Sequence, residues 1–236
     1  MSTDWNEFES DLTVGREALF AKFHNGSPRV LRAGQLLAAS ARPDDVLYRL
    51  RAGWAYRFRD LADGSRAIVD VCLPGDIMGF DNALHKRRIE NVRTLTTSAV
   101  EVVAEERGLR GILESRSVAL YISWLLGERQ QRADRLLAAI SCLDARGRVA
   151  AMVLEFYQRL EAQKLITAAS FNLPLTQYHI ASYLGVTVVH VNRVIRALRE
   201  AGIVNIEMHC VTILNLPALV DLAKIELGIA IAAAGR

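Results

Sequence analysis

Residues 173–204 read LPLTQYHIASYLGVTVVHVNRVIRALREAGIV, and the fold of the chain's C-terminal part follows from them. Thr176 comes after Pro174-Leu175 and makes a good N-cap, because its hydroxyl can accept one of the backbone N–H groups that a helix start leaves unpaired. The helix it opens runs to Leu184. Gly185 suits a tight turn, and Thr187 is a second N-cap for a helix that runs to Ala201, before Gly202. Ile180, Leu184, Val186, Val191 and Val194 are apolar where two crossed helices would meet, and Ala181 is small where they approach. An ordinary helix hairpin would show some of these features. Two caps, a turn glycine, a small residue and an apolar set together predict a helix-turn-helix, whose second helix enters the DNA major groove.

The candidate DNA-contacting residues are Thr176, Gln177, Thr187, Val188, Val189, His190, Asn192, Arg193 and Arg196. Arg193, Arg196 and Arg199 recur every three residues, with only Glu200 opposing them. Arginine suits bidentate contact with guanine or a phosphate clamp. For Arg196 and Arg199 a plain solvated face is the alternative. Residues 203–214, IVNIEMHCVTIL, predict a two-stranded wing, and residues 216–233 predict a last helix.

Upstream, the pattern is helical from about Arg116. Ala119, Ile122, Leu126, Arg129, Ala133, Leu136, Ile140 and Leu143 follow alternating spacings of three and four, which is the heptad pattern of a coiled-coil seam. A helix over 117–143 would be ~40 Å long at ~1.5 Å per residue. Trp124, Leu125 and Leu137 form a second apolar set. One face could pack within the chain while the seam meets a second copy; a helix packed only within its own chain is the alternative. Asp144-Ala145-Arg146-Gly147-Arg148 is expected to break the helix and mark a domain boundary, with a further helix from about Val149 to Gln163.

The first hundred residues differ in character. Residues 5–25 predict a helix with Phe8, Leu12, Leu19 and Phe23 on one face, ended by Asn25-Gly26-Ser27-Pro28. Tyr48 and Leu50, then Tyr56 and Phe58, alternate with arginines around Gly53, which predicts two half-buried strands. Asp63-Gly64 is a hairpin signal, AIVDVCL (67–73) a strand, Pro74-Gly75-Asp76 a turn, and residues 91–106 a further strand pair. Many short strands at regular spacing predict a closed β-barrel or jelly roll.

With 236 residues, 51% of them hydrophobic and 23% charged, the chain can bury a sizeable core. The net charge of +3 excludes binding of nucleic acid by bulk charge, so any DNA contact must come from a few well-placed groups. Neither the part before Asp144 nor the part after it is strongly charged. Cys72, Cys142 and Cys210 are far apart and form no C-x-x-C pair, which excludes a zinc finger and suits a reducing compartment. No stretch approaches a membrane span, and the acidic start MSTDWNEFESDL lacks the order of a signal peptide. The expectation is a soluble cytoplasmic protein.

VTVVHVNRVIRALREAGIV (186–204) and LDARGRVA (143–150) resemble the recognition helix and hinge of the CRP/FNR family, the cAMP-receptor and fumarate–nitrate-regulator type of bacterial transcription factor. The resemblance covers nearly the whole chain. It implies an α+β fold with a cyclic-nucleotide-binding-like jelly-roll sensor over 1–115, a dimerisation helix over 116–143 and a winged helix-turn-helix over 144–236. It implies a homodimer on a double-stranded DNA operator, with RNA polymerase as a further partner for an activator. By resemblance Val188, Val189, Asn192 and Arg193 face the bases, and Arg193 matches the arginine the family uses on guanine. Val189 stands where a glutamate is often read against cytosine, so the operator need not be a family consensus.

The sensor departs further from the family. Its nucleotide cassette carries Gly-Glu and, about ten residues on, Arg-Ser or Arg-Ala; this chain has Gly79-Phe80 and then HKRRIENV (85–92). Arg88 could stand where the phosphate arginine sits, so Gly79, Phe80 and Arg88 are the candidate ligand residues. Phe80 and Ile89, however, remove polar partners that a ribose and phosphate require. The expectation is no cAMP. An iron–sulfur cluster is not expected either, since the N-terminus lacks the clustered cysteines of the fumarate–nitrate branch. The effector is unknown, and a regulator with no small effector is an alternative. Lys86, Arg87 and Arg88 could bind another anion or be an exposed basic loop. His24 and His85 are weak haem candidates, and Cys210 could be a redox switch or a tolerated thiol. A jelly-roll metalloenzyme is the reading from a different class. It fails on ligand count, because only His85 lies between residues 28 and 107, and P-loop, H-E-x-x-H and G-x-S-x-G motifs are all missing.

Overall fold

The computed structural model describes residues 2–23, 28–37, 46–80, 83, 91–104 and 109–224. The chain divides into two compact units, Met1–Gln130 and a second from Gln131 onward.

The first unit contains α1 (Ser2–Phe23), β1 (Arg29–Leu31), β2 (Val46–Ala52), β3 (Ala55–Asp60), β4 (Arg66–Cys72), β5 (Ile77–Met78), β6 (Asn91–Thr94), β7 (Ser98–Ala104), a short α2 (Leu109–Ile112) and the first part of α3 (Arg116–Cys142). Its strands make two antiparallel sheets, ordered β1-β7-β2-β5 and β4-β3-β6, which is the expected jelly roll.

Asp63-Gly64 does close a hairpin, β3 with β4, with Gly64 at φ 81° and the Asp63 carboxylate accepting from the Ser65 N–H at 2.9 Å. The expected strand pair over 91–106 is instead two strands in opposite sheets: β6 pairs with β3, and β7 with β1 and β2. β2 and β3 are divided in the same way. The two crossing corners hold each other: the Trp54 N–H donates to Thr96 Oγ1 at 2.9 Å and the Leu95 N–H to the Trp54 carbonyl at 2.7 Å. Gly53, at φ 87°, is needed there, because a Cβ would lie 2.4 Å from Ser98 Oγ.

The arginines that alternate with aromatics are not all solvent-facing, as the period-two reading expects. Arg57 is buried and pairs with Asp70 at 3.1 Å, on the face it shares with Ala55, Cys72 and Val92. Arg49 and Arg51 both bond Glu101, at 3.2 and 2.7 Å, and the Glu101 side chain is 1% exposed. Arg49 also stacks 3.8 Å from the Phe20 ring of α1. Such buried charges persist only as pairs, because a lone one would carry its full desolvation cost. Tyr121 nearby has its phenol pushed up to about 12, first by burial, which Arg16 and Arg49 only partly offset.

The face of the β1-β7-β2-β5 sheet that carries Arg49 and Glu101 packs under helices. Leu12, Leu19 and Phe23 of α1, Leu47, Phe80 and Val103, and Val118, Tyr121 and Ile122 of α3 form one apolar cluster. This corrects the seam: Ile122 is 4% exposed and belongs to its own chain's core, so it cannot face a second copy. The helices meet at Gly15, where a Cβ would sit 2.0 Å from the Ser117 carbonyl oxygen. Because that neighbour is backbone, one helix must move to accommodate a side chain. Gly15→Ala is expected to lower stability by about 1–3 kcal/mol, the usual cost of overpacking, despite its better helix propensity; denaturant melts would measure it.

The second unit holds the rest of α3, then α4 (Ala145–Ala162), β8 (Ser170–Asn172), α5 (Gln177–Leu184), α6 (Val188–Glu200), β9 (Val204–Glu207), β10 (Cys210–Ile213) and α7 (Leu216–Ala223). The break after α3 is shorter than expected. Asp144 caps α4, its carboxylate accepting the Gly147 N–H at 2.8 Å, so Arg146 to Arg148 lie inside a helix. Gly147 is buried there, where a Cβ would lie 3.2 Å from the Leu222 carbonyl of α7. The wing has three strands rather than two, ordered β8-β10-β9. α7 stops at Ala223, with Lys224 left-handed at φ 47°. The remainder of the expected helix to 233 lies outside the described residues.

Candidate nucleic-acid interface

The two N-caps form as the sequence predicts. Thr176 Oγ1 accepts the His179 N–H at 3.3 Å, and Thr187 Oγ1 accepts the His190 N–H at 3.2 Å. Gly185 takes the left-handed conformation, φ 63°, that ends α5, and the Val186 N–H bonds the Ala181 carbonyl at 3.0 Å. Ile180, Ala181, Leu184, Val191 and Val194 are all buried where the helices cross; Val186 is only half-buried. Arg148 ties this pair to the helix before it. Its Nε donates to the Leu143 carbonyl at 3.0 Å and its Nη1 to the Leu184 carbonyl at 3.3 Å, satisfying two helix ends.

α6 is therefore held by one face, Val191, Val194 and Leu198. Its other face is open: Thr187, Val188, Val189, His190, Asn192, Arg193 and Arg196 are all exposed, as are Thr176 and Gln177 at the start of α5. Every candidate DNA-contacting residue thus lies on the accessible surface of one motif. The three arginines differ. Arg196 bonds Glu200 at 2.8 Å and Arg199 bonds Glu207 of the wing at 2.6 Å. Arg193 has no ion-pair partner among the described residues. Exposed pairs of this kind are screened by solvent and contribute little, so Arg196 and Arg199 can exchange their carboxylates for phosphates. Glu207 is held below the ordinary carboxylate range by hydrogen bonds from Arg199 and Asn205.

Tyr178, Met208 and His209 were not among the residues singled out from the sequence. With Thr176, Gln177 and Val188 they line one open cleft between the start of α5, the start of α6 and the wing turn. Met208 is 98% exposed. Met208 and His209 both have positive φ, 49° and 62°, as the two central residues of the β9–β10 turn. A two-residue hairpin of that hand requires left-handed backbone at both positions. The sequence has Met208-His209 there and lacks the usual Asn-Gly marker of such a turn.

The cap of α5 carries a pH dependence. His179 stands where a capping box usually has Glu or Gln. Its Nδ1 accepts the Thr176 N–H at 3.2 Å, which requires the neutral ring. Burial holds its pKa below the ordinary 6.5. A histidine depressed in the folded state contributes stability that is complete above the unfolded value and lost as pH falls from about 6.5 toward the folded pKa. His179→Gln keeps the acceptor without titrating. Melting temperature is expected to fall less between pH 7.5 and 5.5 in that variant than in the original chain.

In the sensor unit, Gly79 has φ 102°, and a Cβ there would lie 2.5 Å from the Val46 carbonyl oxygen. Close backbone approach accounts for the glycine. Phe80 is 2% exposed, in the cluster with α1 and α3. The face between the sheets is filled by Tyr48, Leu50, Ala55, Cys72, Met78, Val92 and Val100. Arg88, with Lys86, Arg87, Ile89, His24 and His85, lies outside the described residues. Among the described residues no three His, Cys, Asp or Glu cluster as metal ligands, and no helix is long and apolar enough to cross a membrane. Cys142 and Cys210 are exposed free thiols and Cys72 is buried.

A jelly roll in one unit and a winged helix-turn-helix with an open recognition face in the other define a two-domain DNA-binding regulator. Family models agree: a cyclic nucleotide-binding domain matches residues 28–115, and a Crp-like helix-turn-helix domain matches residues 147–222. The chain belongs to the CRP/FNR family of DNA-binding transcription regulators. Relatives include the nitrogen fixation regulation protein FixK of Rhizobium meliloti, 29% identical over 73% of this chain and 75% of that protein. The fumarate and nitrate reduction regulatory protein of Escherichia coli is 25% identical over 82% of this chain and 77% of its own length. Among solved structures, FixK2 from Bradyrhizobium japonicum shares the fold with a TM-score of 0.74, covering 83% of this chain and 96% of that one at 22% identity.

Proposed function

We propose that the chain works as a homodimer on a palindromic operator, with α6 of each copy in successive major grooves and a sensor that has diverged from cAMP. The observation that carries this reading is the division of α6 into a buried face, Val191, Val194 and Leu198, and an open face headed by Val188, Val189, Asn192 and Arg193. Thr176 and Gln177 at the start of α5, with Thr187, His190 and Arg196, are assigned to the flanking backbone. Phosphate contacts of that kind set register without reading sequence. The functional division is a sensor over 1–115, a dimerisation helix over 116–143 and the DNA-binding part over 144–236. Gly79, Phe80 and Arg88 mark the segment that corresponds to the family's nucleotide cassette. The burial of Phe80 among side chains of α1 and α3 supports its being a packing residue there. RNA polymerase is a partner only if the protein activates.

The test is selection from randomised duplex DNA, followed by affinity measurement on the enriched site with and without cAMP. The expected product is a palindrome whose half-site centres lie one helical turn, about 34 Å, apart. The expected effect of cAMP is none. Enrichment of a single asymmetric site would overturn the dimeric reading, and tighter binding with stoichiometric cAMP would overturn the reading of the sensor.

A further inference from the structure

The head of α6 is apolar. Val188 and Val189 are 37% and 68% exposed, side by side in the first turn after the Thr187 cap. Tyr178 and Met208, 60% and 98% exposed, lie with Val188 around the same cleft. The one acid of α6, Glu200, is in its last turn and bonded to Arg196. The head therefore offers no carboxylate to accept from the exocyclic amine of cytosine, and its first two residues have no hydrogen-bonding side chain at all. In the major groove the feature that an aliphatic side chain can read is the methyl group on C5 of a pyrimidine. Valine is suited to this, because a β-branched side chain in a helix has one strongly preferred rotamer and loses little freedom on contact. Val188 lies one turn before Asn192, and Val189 one turn before Arg193. A methyl contact by Val189 thus falls beside the base that Arg193 reads.

We propose that Val188 and Val189 are specificity-determining residues that read a pyrimidine 5-methyl group, thymine in the operator, next to the base pair contacted by Arg193. This rests on the reading of α6 as the DNA-recognition helix.

The probe is the enriched operator, with each thymine of both half-sites replaced in turn by uracil, which differs only by the methyl. Losing one buried methyl is worth about threefold to fourfold in affinity, and about tenfold when both half-sites are changed. The expected result is a loss of that size at one or two symmetric positions and little change elsewhere. At those positions 5-methylcytosine should bind tighter than cytosine by a similar factor. In a Val188→Ala/Val189→Ala variant, with its melting temperature checked, the uracil penalty should shrink to below about twofold. Equal binding of thymine and uracil at every position overturns the proposal, as does equal binding of cytosine and 5-methylcytosine, or an undiminished penalty in the valine variant. Failure of the selection to enrich any DNA would instead count against the recognition-helix reading itself.

Discussion

Arg193→Ala will lose about 1–3 kcal/mol of binding per half-site and relax the preference at one base pair. On a two-fold operator that is on the order of thirtyfold to twenty-thousandfold in affinity. Arg193 sits on the second turn of α6, exposed, and has no ion-pair partner among the described residues. Its fork is therefore available for the N7 and O6 of a guanine without first leaving a carboxylate. Arg199 is the control. It bonds Glu207 at 2.6 Å and lies further along the helix, so Arg199→Ala should weaken all sequences alike and lower the salt dependence. Binding titrations of both variants on the enriched operator and on scrambled DNA, at several salt concentrations, measure the difference. An Arg193→Ala protein that keeps the full sequence preference would place the reading head elsewhere.

The second large effect is expected in α3. Ile122 is a core residue, and a charge there would damage the sensor rather than test dimerisation. Further along, Leu137 is 63% exposed and Ala133, one turn earlier, is also exposed. Gln130, Ala133 and Leu137 are exposed at spacings of three and four, while Leu126 packs against the sensor core, so the stripe open to a second copy is rotated slightly from the one with Arg129 and Leu136. Ala133→Glu with Leu137→Glu places repelling charges in that stripe without touching a buried side chain. The expected result is a monomer by sedimentation with a near-normal melting curve. Affinity for the palindrome should fall by about a hundredfold or more, because the second half-site no longer adds its binding to the first. A double variant that sediments as an intact dimer would rule out this stripe as the interface.

Local sequence signals predicted the winged helix-turn-helix best, because its determinants are near neighbours in the chain. Thr176 reaches only to His179, Thr187 only to His190, and Gly185 needs only its own backbone freedom. The jelly roll was legible as a class, from many short strands, but not in its pairing. β2 and β3 look like a hairpin yet enter different sheets, since the corner at Trp54 is fixed by Thr96, some forty residues on. Nor could alternation alone show that Arg57 is buried, because that depends on Asp70 arriving opposite it. The first strand of the wing, β8, was too short to show a period.

The sequence by itself determined that two helices cross at residues 176–201, which of their faces is apolar, and which side chains are left to meet a ligand. Caps, turn glycines and helical periodicity act over a few residues, so their consequences can be read without knowing the rest of the chain. Only the tertiary structure decided which of the three arginines of α6 has no carboxylate partner, which turn of α3 is core and which is open, and that Phe80 packs among α1 and α3. Those outcomes depend on Glu207, Leu12, Leu19 and Phe23 arriving from other elements. Contacts of that kind are set by packing between distant segments, which local pattern does not encode.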